Sequence, residues 1–169
     1  GHVIRRVAQS GAKAVALDLM LPTPRDGDDE LLLALDEFGE RAVIGGNLEE
    51  VSNLGRTSVQ LVMPAMLAAG GVSEISADHP RGRVGYVNLW PDEDGIIRRV
   101  HYRRTFQDTP VLSLTGRMLE KAGLGDRIPP GASGLIRYAG PPNFNYPAIP
   151  IYQLFVPSTW EKVFQNGEL

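Results

Sequence analysis

Residues 14–21 read A-V-A-L-D-L-M-L, a nearly continuous apolar run that is ended by Pro22 and Pro24. Such a run is typical of a strand buried on both faces, as in a parallel sheet that helices cover. Apolar residues recur at helical spacing over residues 3–9, and Gly11 behind them suits a helix C-cap. The chain is therefore predicted to open with a helix followed by a buried strand.

A second helix and a second strand follow the first pair. Asp28 suits the N-cap position, and an apolar stripe continues to Phe38, directly before Gly39. Acidic residues in the first turn of this helix are favoured by the helix dipole. Residues 41–46, R-A-V-I-G-G, are predicted as a second buried strand. This alternation is the pattern of an α/β fold with a right-handed crossover.

The middle of the chain carries a signal for a β-hairpin. Residues 85–90 and 96–104 are both strand-like, and P-D-E-D-G joins them at 91–95. Gly95 can adopt the positive φ that a tight turn requires. We therefore predict a β-hairpin around residues 85–104.

The remaining pattern completes a single domain. Residues 47–71 carry only a weak pattern. The other predicted elements are a short helix at 64–69, a polar loop at 78–83, a helix at 110–123, a strand at 134–138 and helical turns at 151–155 and 160–164. Together these elements predict one α/β domain, in which a mixed β-sheet is flanked by helices.

Composition excludes several classes of function. The 169 residues include 17 basic and 20 acidic side chains, and the net charge of −3 argues against a nucleic-acid binder. Cysteine is absent, so a disulfide framework, a thiolate metal site and a cysteine nucleophile are excluded. The three histidines lie too far apart for metal-ligand spacing, and no cofactor is predicted. No apolar stretch reaches the roughly 18–20 residues of a membrane-spanning helix.

The residues around Asp18, L-D-L-M-L-P-T-P-R-D-G, are similar to the phosphorylation loop of receiver domains. Aspartyl-phosphate chemistry also requires an acidic pair that holds Mg²⁺ and a lysine that reaches the phosphoryl oxygens. No earlier strand offers that pair, and no lysine follows Asp18 at a strand end. A phosphoacceptor role for Asp18 is therefore the minor alternative. The simpler interpretation is that Asp18 closes a strand and hydrogen-bonds a loop.

Three longer segments carry a resemblance to one family. Residues 11–31 combine a Gly-Ala pair, an apolar strand, an Asp and an acidic turn that opens a helix. Residues 85–100 contain a strand, the P-D-E-D-G turn and a strand that begins with paired arginines. Residues 136–155 contain a Tyr-Ala-Gly-Pro loop followed by a short helix. In order and spacing, these segments resemble the type-two CHASE domain, a cyclase- and histidine-kinase-associated sensory extracellular domain. That family usually adds a final strand of the type G-K-x-V-x-x-I-G, which this chain does not reach by 165–169.

The resemblance implies a sensory domain and not an enzyme. It implies a position outside the cytoplasmic membrane, periplasmic or extracellular, in a bacterial transmembrane receptor. The cytoplasmic output of such receptors is a nucleotide cyclase, a protein kinase or a phosphodiesterase. On this interpretation, residues 1–169 are one sensory domain excised from a membrane-tethered protein without its flanking membrane helices. A homodimer is expected, with an unknown small molecule or periplasmic signal as partner. A structural dimerisation module without a ligand is the alternative.

The P-D-E-D-G turn and the strand behind it supply the first candidate site residues. Asp92 and Asp94 could hold Ca²⁺, or their carboxylates could cap turn amides within a structural hairpin. Alternation places Arg98 and Arg99 on opposite faces of their strand, so one of them is expected to point inward. A buried arginine needs a partner, for which Asp18 or Asp94 is available. The alternative is contact with an anionic ligand.

The loop at residues 139–147 supplies the remaining candidates. Its prolines stiffen a segment that carries aromatic and amide groups, which can line a pocket. Simple packing of this loop over the sheet edge is the alternative. The candidate ligand-binding residues are therefore Asp18, Arg98, Arg99, Tyr138, Asn143 and Tyr146.

Overall fold

Helices and strands alternate through the first part of the chain, in a computed structural model that describes residues 1–131, 133–141, 150–156 and 158. The α-helices are α1 (His2–Gln9), α2 (Asp28–Phe38) and α3 (Leu114–Lys121). The strands are β1 (Val15–Leu17), β2 (Ala42–Asn53), β3 (Arg56–Val62), β4 (Val84–Tyr86), β5 (Arg99–His101), β6 (Arg103–Phe106), β7 (Thr109–Leu112) and β8 (Ser133–Leu135). Short 3₁₀ helices cover Gly39–Arg41, Ala65–Glu74, Gly125–Arg127 and Ile151–Phe155.

The largest sheet is mixed and is organised around β2. Strands β1 and β4 flank the first half of β2 in parallel, with Ala42 opposite Val15 and Ile44 opposite Val84. The second half of β2 pairs antiparallel with β3, from Asn47 to Asn53. The predicted α/β class with a mixed sheet and helices is confirmed.

The first two helices pack together beside β2. An apolar cluster of Ile4, Leu35, Phe38 and their neighbours joins them. Gly27 and Gly39 bound α2 with φ angles of 90° and 70°, values that favour glycine. The predicted extent of this helix is therefore confirmed, although its N-cap is Gly27.

The first strand is shorter and less buried than predicted. Only Val15–Leu17 forms β1, and its three side chains are half-buried. Leu19, further along the predicted strand, is 48% exposed. Among the described residues β1 pairs with β2 alone. It is therefore an edge strand of this sheet, so the prediction that residues 14–21 are buried on both faces was wrong.

The weakly patterned region after residue 46 contains the longest hairpin of the fold. β2 runs to Asn53 and returns as β3 through Leu54 and Gly55, whose φ angles of 50° and 77° suit a tight hairpin turn. The weak pattern of residues 47–71 predicts no strand here. Most side chains of this hairpin are exposed on both faces, so no apolar alternation marks the strands.

The hairpin predicted around residues 85–104 exists only as a turn. The amide of Asp92 donates to the carbonyl of Ile96 at 2.9 Å, and Gly95 has a φ of 80°. The flanking strands do not pair with each other, because β4 joins β2 and β5 joins β8. All three residues of β4 are buried. A parallel strand beside β2 can be covered on both faces, whereas a strand of an isolated two-stranded hairpin would leave one face in water.

The helix predicted over 110–123 begins later. Residues 109–112 form β7, which pairs with β6. Ser113 then caps α3, where its hydroxyl accepts from the amide of Gly116 at 3.0 Å. The buried polar side chain of this helix is Arg117, whereas Thr115 is exposed.

The main core lies beneath the mixed sheet and the β6–β7 hairpin. Its buried members are Ile44, Leu67, Ile75, Val84, Tyr86, Phe106 and Val111.

The 3₁₀ helix Ile151–Phe155 confirms the helical turn predicted there, whereas the turn predicted at 160–164 lies outside the described residues. In the described part of the chain, no helix combines the length and apolar character needed to cross a membrane.

Candidate functional site

The P-D-E-D-G turn is closed by an ion-pair cluster on Arg98. Its guanidinium donates to both carboxylate oxygens of Asp94, at 2.8 and 2.6 Å, and to Asp92 at 3.0 Å. The amide of Ile96 also donates to Asp94. The hydrogen bonds from Arg98 and, secondarily, from Ile96 hold the pKa of the Asp94 carboxyl below its usual value.

The ion-pair cluster can be compared with the partner and the orientation that were predicted for Arg98 and Arg99. Asp94 is the partner of Arg98, one of the two partners predicted. The expectation that Arg98 or Arg99 points inward was wrong: the Arg98 side chain is 44% exposed, and Arg99 is exposed as well. A cation at Asp92 and Asp94 would have to displace the guanidinium. No cluster of three or more metal-ligating His, Asp or Glu residues occurs among the described residues.

The other predicted site residues are only partly brought to this turn. Tyr138 reaches it, since its hydroxyl donates to the carbonyl of Ile97 at 2.5 Å while its side chain stays largely exposed. Asp18 is exposed behind β1, and no hydrogen bond or ion pair joins it to the cluster. Asn143 and Tyr146 lie outside the described residues. Ligand binding by this predicted set stays a prediction.

A groove with a volume of about 560 Å³ lies between the β2–β3 hairpin and β6. Its lining residues are Leu48, Glu50, Ser58, Val59, Trp90, Arg104, Thr105, Phe106 and Gln107. Leu48 and Glu50 are two apart on β2 and share a face, as do Arg104 and Phe106 on β6. Val59 lies directly opposite Glu50 in the β2–β3 ladder. Strand alternation thus directs a charged and an apolar side chain from each wall into one space.

Trp90 is held in the groove by aromatic and cationic neighbours. Its ring makes edge contacts with Tyr86 and His101, each with ring centroids 5.7 Å apart. The guanidinium carbon of Arg104 lies 4.1 Å from the centroid of the Trp90 ring, a cation–π contact. Below it, the buried Tyr86 hydroxyl donates to the carbonyl of His101. Burial raises the pKa of Tyr86 well above its usual value, so the hydroxyl stays a donor.

Asn88 links the two walls of the groove. Its side-chain oxygen accepts from the amide of Leu48 at 2.8 Å, and its side-chain nitrogen donates to the carbonyl of Leu48 at 2.9 Å. The carboxamide thereby satisfies both backbone groups of one β2 residue. This bond pair holds the base of the hairpin to the segment that leads to Trp90.

The charged groups of the groove lack ion-pair and hydrogen-bond partners within the described part of the chain. Both Arg104 and Glu50 are exposed, and no ion pair or hydrogen bond joins either side chain to another described residue. Between them the groove offers the apolar surfaces of Leu48, Val59 and Phe106. A concave apolar surface with a few charged groups is the usual form of a small-molecule site.

The comparison with protein families identifies the domain. A family model described as the CHASE2 domain matches residues 1–166, nearly the whole chain. The chain belongs to the CHASE2 domain family. CHASE2 domains are extracellular sensory portions of signalling receptors in the membrane, and they are not catalytic. No curated protein and no solved structure matches this CHASE2 domain at a significant level.

The groove of this CHASE2 domain was missed from the sequence. None of Trp90, Glu50 and Arg104 was predicted as a site residue. The i, i+2 pairs of charged and apolar residues on β2 and β6 were visible. They could not indicate a site without the strand pairing, because β2 and β6 belong to different sheets.

Proposed function

We propose that this CHASE2 domain is the ligand- or signal-sensing part of a bacterial transmembrane receptor, lying outside the cytoplasmic membrane. The output of that receptor is a nucleotide cyclase or a protein kinase. The observation that carries this proposal is the family match over residues 1–166. Residues 1–169 then serve as one sensory domain that is tethered to the membrane in the full-length protein.

The groove supports a mechanism for sensing. One wall belongs to the β2–β3 hairpin, and the other belongs to Trp90 and β6. A ligand that contacts both walls stabilises one relative arrangement of them over others. Differential affinity of this kind is what shifts a conformational equilibrium. The shift would reach the output through the membrane helices attached to the domain.

Reporter fusions to the full-length receptor test the location of the domain. We expect alkaline phosphatase fused directly behind residue 169 to be active and a fluorescent protein at the same position to be dark. A matched pair of fusions to the output domain should give the opposite result. If the fusions behind residue 169 report the cytoplasm, the sensory proposal is wrong.

A structural dimerisation module is the second candidate function, and the projecting hairpin favours it. Leu54 at its tip is 98% exposed, and Val59 on β3 is also exposed. A second copy of the chain that covers this hairpin would remove these apolar side chains from water. Light scattering of the 169-residue chain over a concentration series tests the proposed homodimer. A thermal-shift screen against metabolites and ions separates the two functions, because a saturable shift argues for a sensor.

A further inference from the structure

The groove at Trp90 carries two opposite charges that the described residues leave unpaired. Other arginines of the fold, such as Arg5 and Arg98, lie against carboxylates at 2.5–3.3 Å. Arg104 instead contacts the Trp90 ring. A cation–π contact uses none of the N–H donors of a guanidinium, so these donors remain available to a carboxylate.

We infer that the groove binds a small zwitterion of the amino-acid class with an apolar side chain. Arg104 holds its carboxylate, Glu50 holds its ammonium group, and Trp90 and Val59 contact its side chain. This inference deepens the proposed function, because it names the ligand class of the sensory site.

The charge pattern separates this class from simpler ligands. A plain organic anion would bring negative charge to Glu50 without a matching cation. A plain organic cation would face the positive charge of Arg104. A molecule with both charges satisfies both groups, and electrostatic complementarity of this kind supplies specificity.

The apolar surface and the size of the groove add to the argument. Leu48, Val59 and Phe106 line it beside the Trp90 ring. A polar zwitterion such as glycine would leave this surface uncovered, whereas an apolar side chain covers it. The volume of about 560 Å³ lies in the range of small-molecule sites.

Calorimetric titration of the purified 169-residue chain tests the inference. The probes are leucine, phenylalanine and tryptophan, with glycine as the ligand that lacks an apolar part. Phenylalanine methyl ester lacks the carboxylate, and N-acetylphenylalanine lacks the ammonium group. We expect saturable binding of at least one apolar amino acid. Binding of each truncated probe should be weaker by about tenfold or more, since each loses one charged hydrogen-bonding group.

Two pairs of variants locate the site. Arg104→Gln and Glu50→Gln should each weaken binding by about tenfold or more. Arg103→Gln and Glu49→Gln are the matched controls, because these neighbours alternate to the other face of their strands. The controls should bind as the parent chain does. If one groove variant fails to fold, the other variant and the probe series on the parent chain still decide.

Three outcomes would overturn the inference: no saturable binding by any apolar amino acid, equal binding of the methyl ester, or equal losses in the control variants. Each of these results leaves the reporter fusions unaffected. Failure of the ligand class is therefore distinguishable from failure of the sensory proposal.

Discussion

Replacing Arg117 by Met should destabilise the domain more than any other single change to a charged residue described above. The Arg117 side chain is fully buried in α3. Its Nη2 donates to the carbonyls of Ile75 and Ser76, at 2.9 and 2.6 Å, and its Nη1 donates to Glu120 at 2.9 Å. These bonds hold the end of the 3₁₀ helix Ala65–Glu74 and the residues that follow it against α3.

The magnitude follows from what the substitution leaves behind. Met fills much of the volume but donates no hydrogen bond, so the carbonyls of Ile75 and Ser76 lose their charged partner. A buried acceptor that loses its donor costs about 1–3 kcal/mol, so the two carbonyls together cost about 3–5 kcal/mol. The Nε of Arg117 is buried and has no hydrogen-bond partner among the described residues, which places the expected loss at the lower end of that range. For a domain of this size, about 3–5 kcal/mol corresponds to a fall in melting temperature of roughly 6–20 °C.

Urea unfolding followed by far-ultraviolet circular dichroism measures the loss of stability. Glu120→Gln is the control, because its side chain is 36% exposed and the amide oxygen can still accept from Arg117. We expect this variant to lose less than about 1 kcal/mol. A loss below about 1 kcal/mol for Arg117→Met, or equal losses for both variants, would refute the argument that the two backbone carbonyls depend on this guanidinium.

Three further predictions concern other parts of the fold. Tyr86→Phe removes the hydrogen bond to a backbone carbonyl of β5 and should cost about 1 kcal/mol in urea unfolding; an unchanged midpoint would contradict it. A Cβ at Gly85 would lie 2.5 Å from the Cα of the first residue of α3, so Gly85→Ala should cost about 1–3 kcal/mol in the same assay. Gly131→Ala, whose new Cβ meets no atom of the described residues within 4 Å, is its control. Because Arg98 lowers the folded-state pKa of Asp94, its stabilising effect is full above the ordinary value of 3.8 and is lost as pH falls through the lowered pKa. Stability curves of the parent chain and Asp94→Asn should therefore differ at neutral pH and converge in acid, and a constant difference would exclude the linkage.

The parts of the fold that were predicted correctly depend on local signals. Helix α2 has an apolar stripe between two glycines, and both glycines adopt positive φ. The ion pair of Arg98 with Asp94 joins residues four apart, and the tight turn between them was visible as P-D-E-D-G. In these cases the interacting residues are close in the sequence, so a local pattern is sufficient to predict the structure.

The parts that were missed depend on pairing between distant segments. Strand β4 was assigned to a hairpin with its sequence neighbour, but it pairs with β2, about forty residues earlier. The contact of Trp90 with Arg104 depends on the path of the chain between them and on no periodic pattern. The exposed half of β2 has no apolar alternation, because water contacts both of its faces. The local pattern of a single sequence does not reveal which distant strands pair.

Strand β2 places the groove where a ligand could act on the rest of the domain. Residues 42–46 are fully packed: a Cβ on Gly46 would lie 2.6 Å from the side chain of Val84, so this half of the strand has little room to shift. The two hydrogen bonds of the Asn88 carboxamide hold the backbone of Leu48, and beyond Leu48 the strand enters the exposed hairpin. Glu50 lies two residues beyond Leu48 on β2, while Arg104 belongs to a different sheet. A ligand held by both charges would therefore tie the exposed half of β2 to β6, and such a contact changes the relative stability of different arrangements of the two strands.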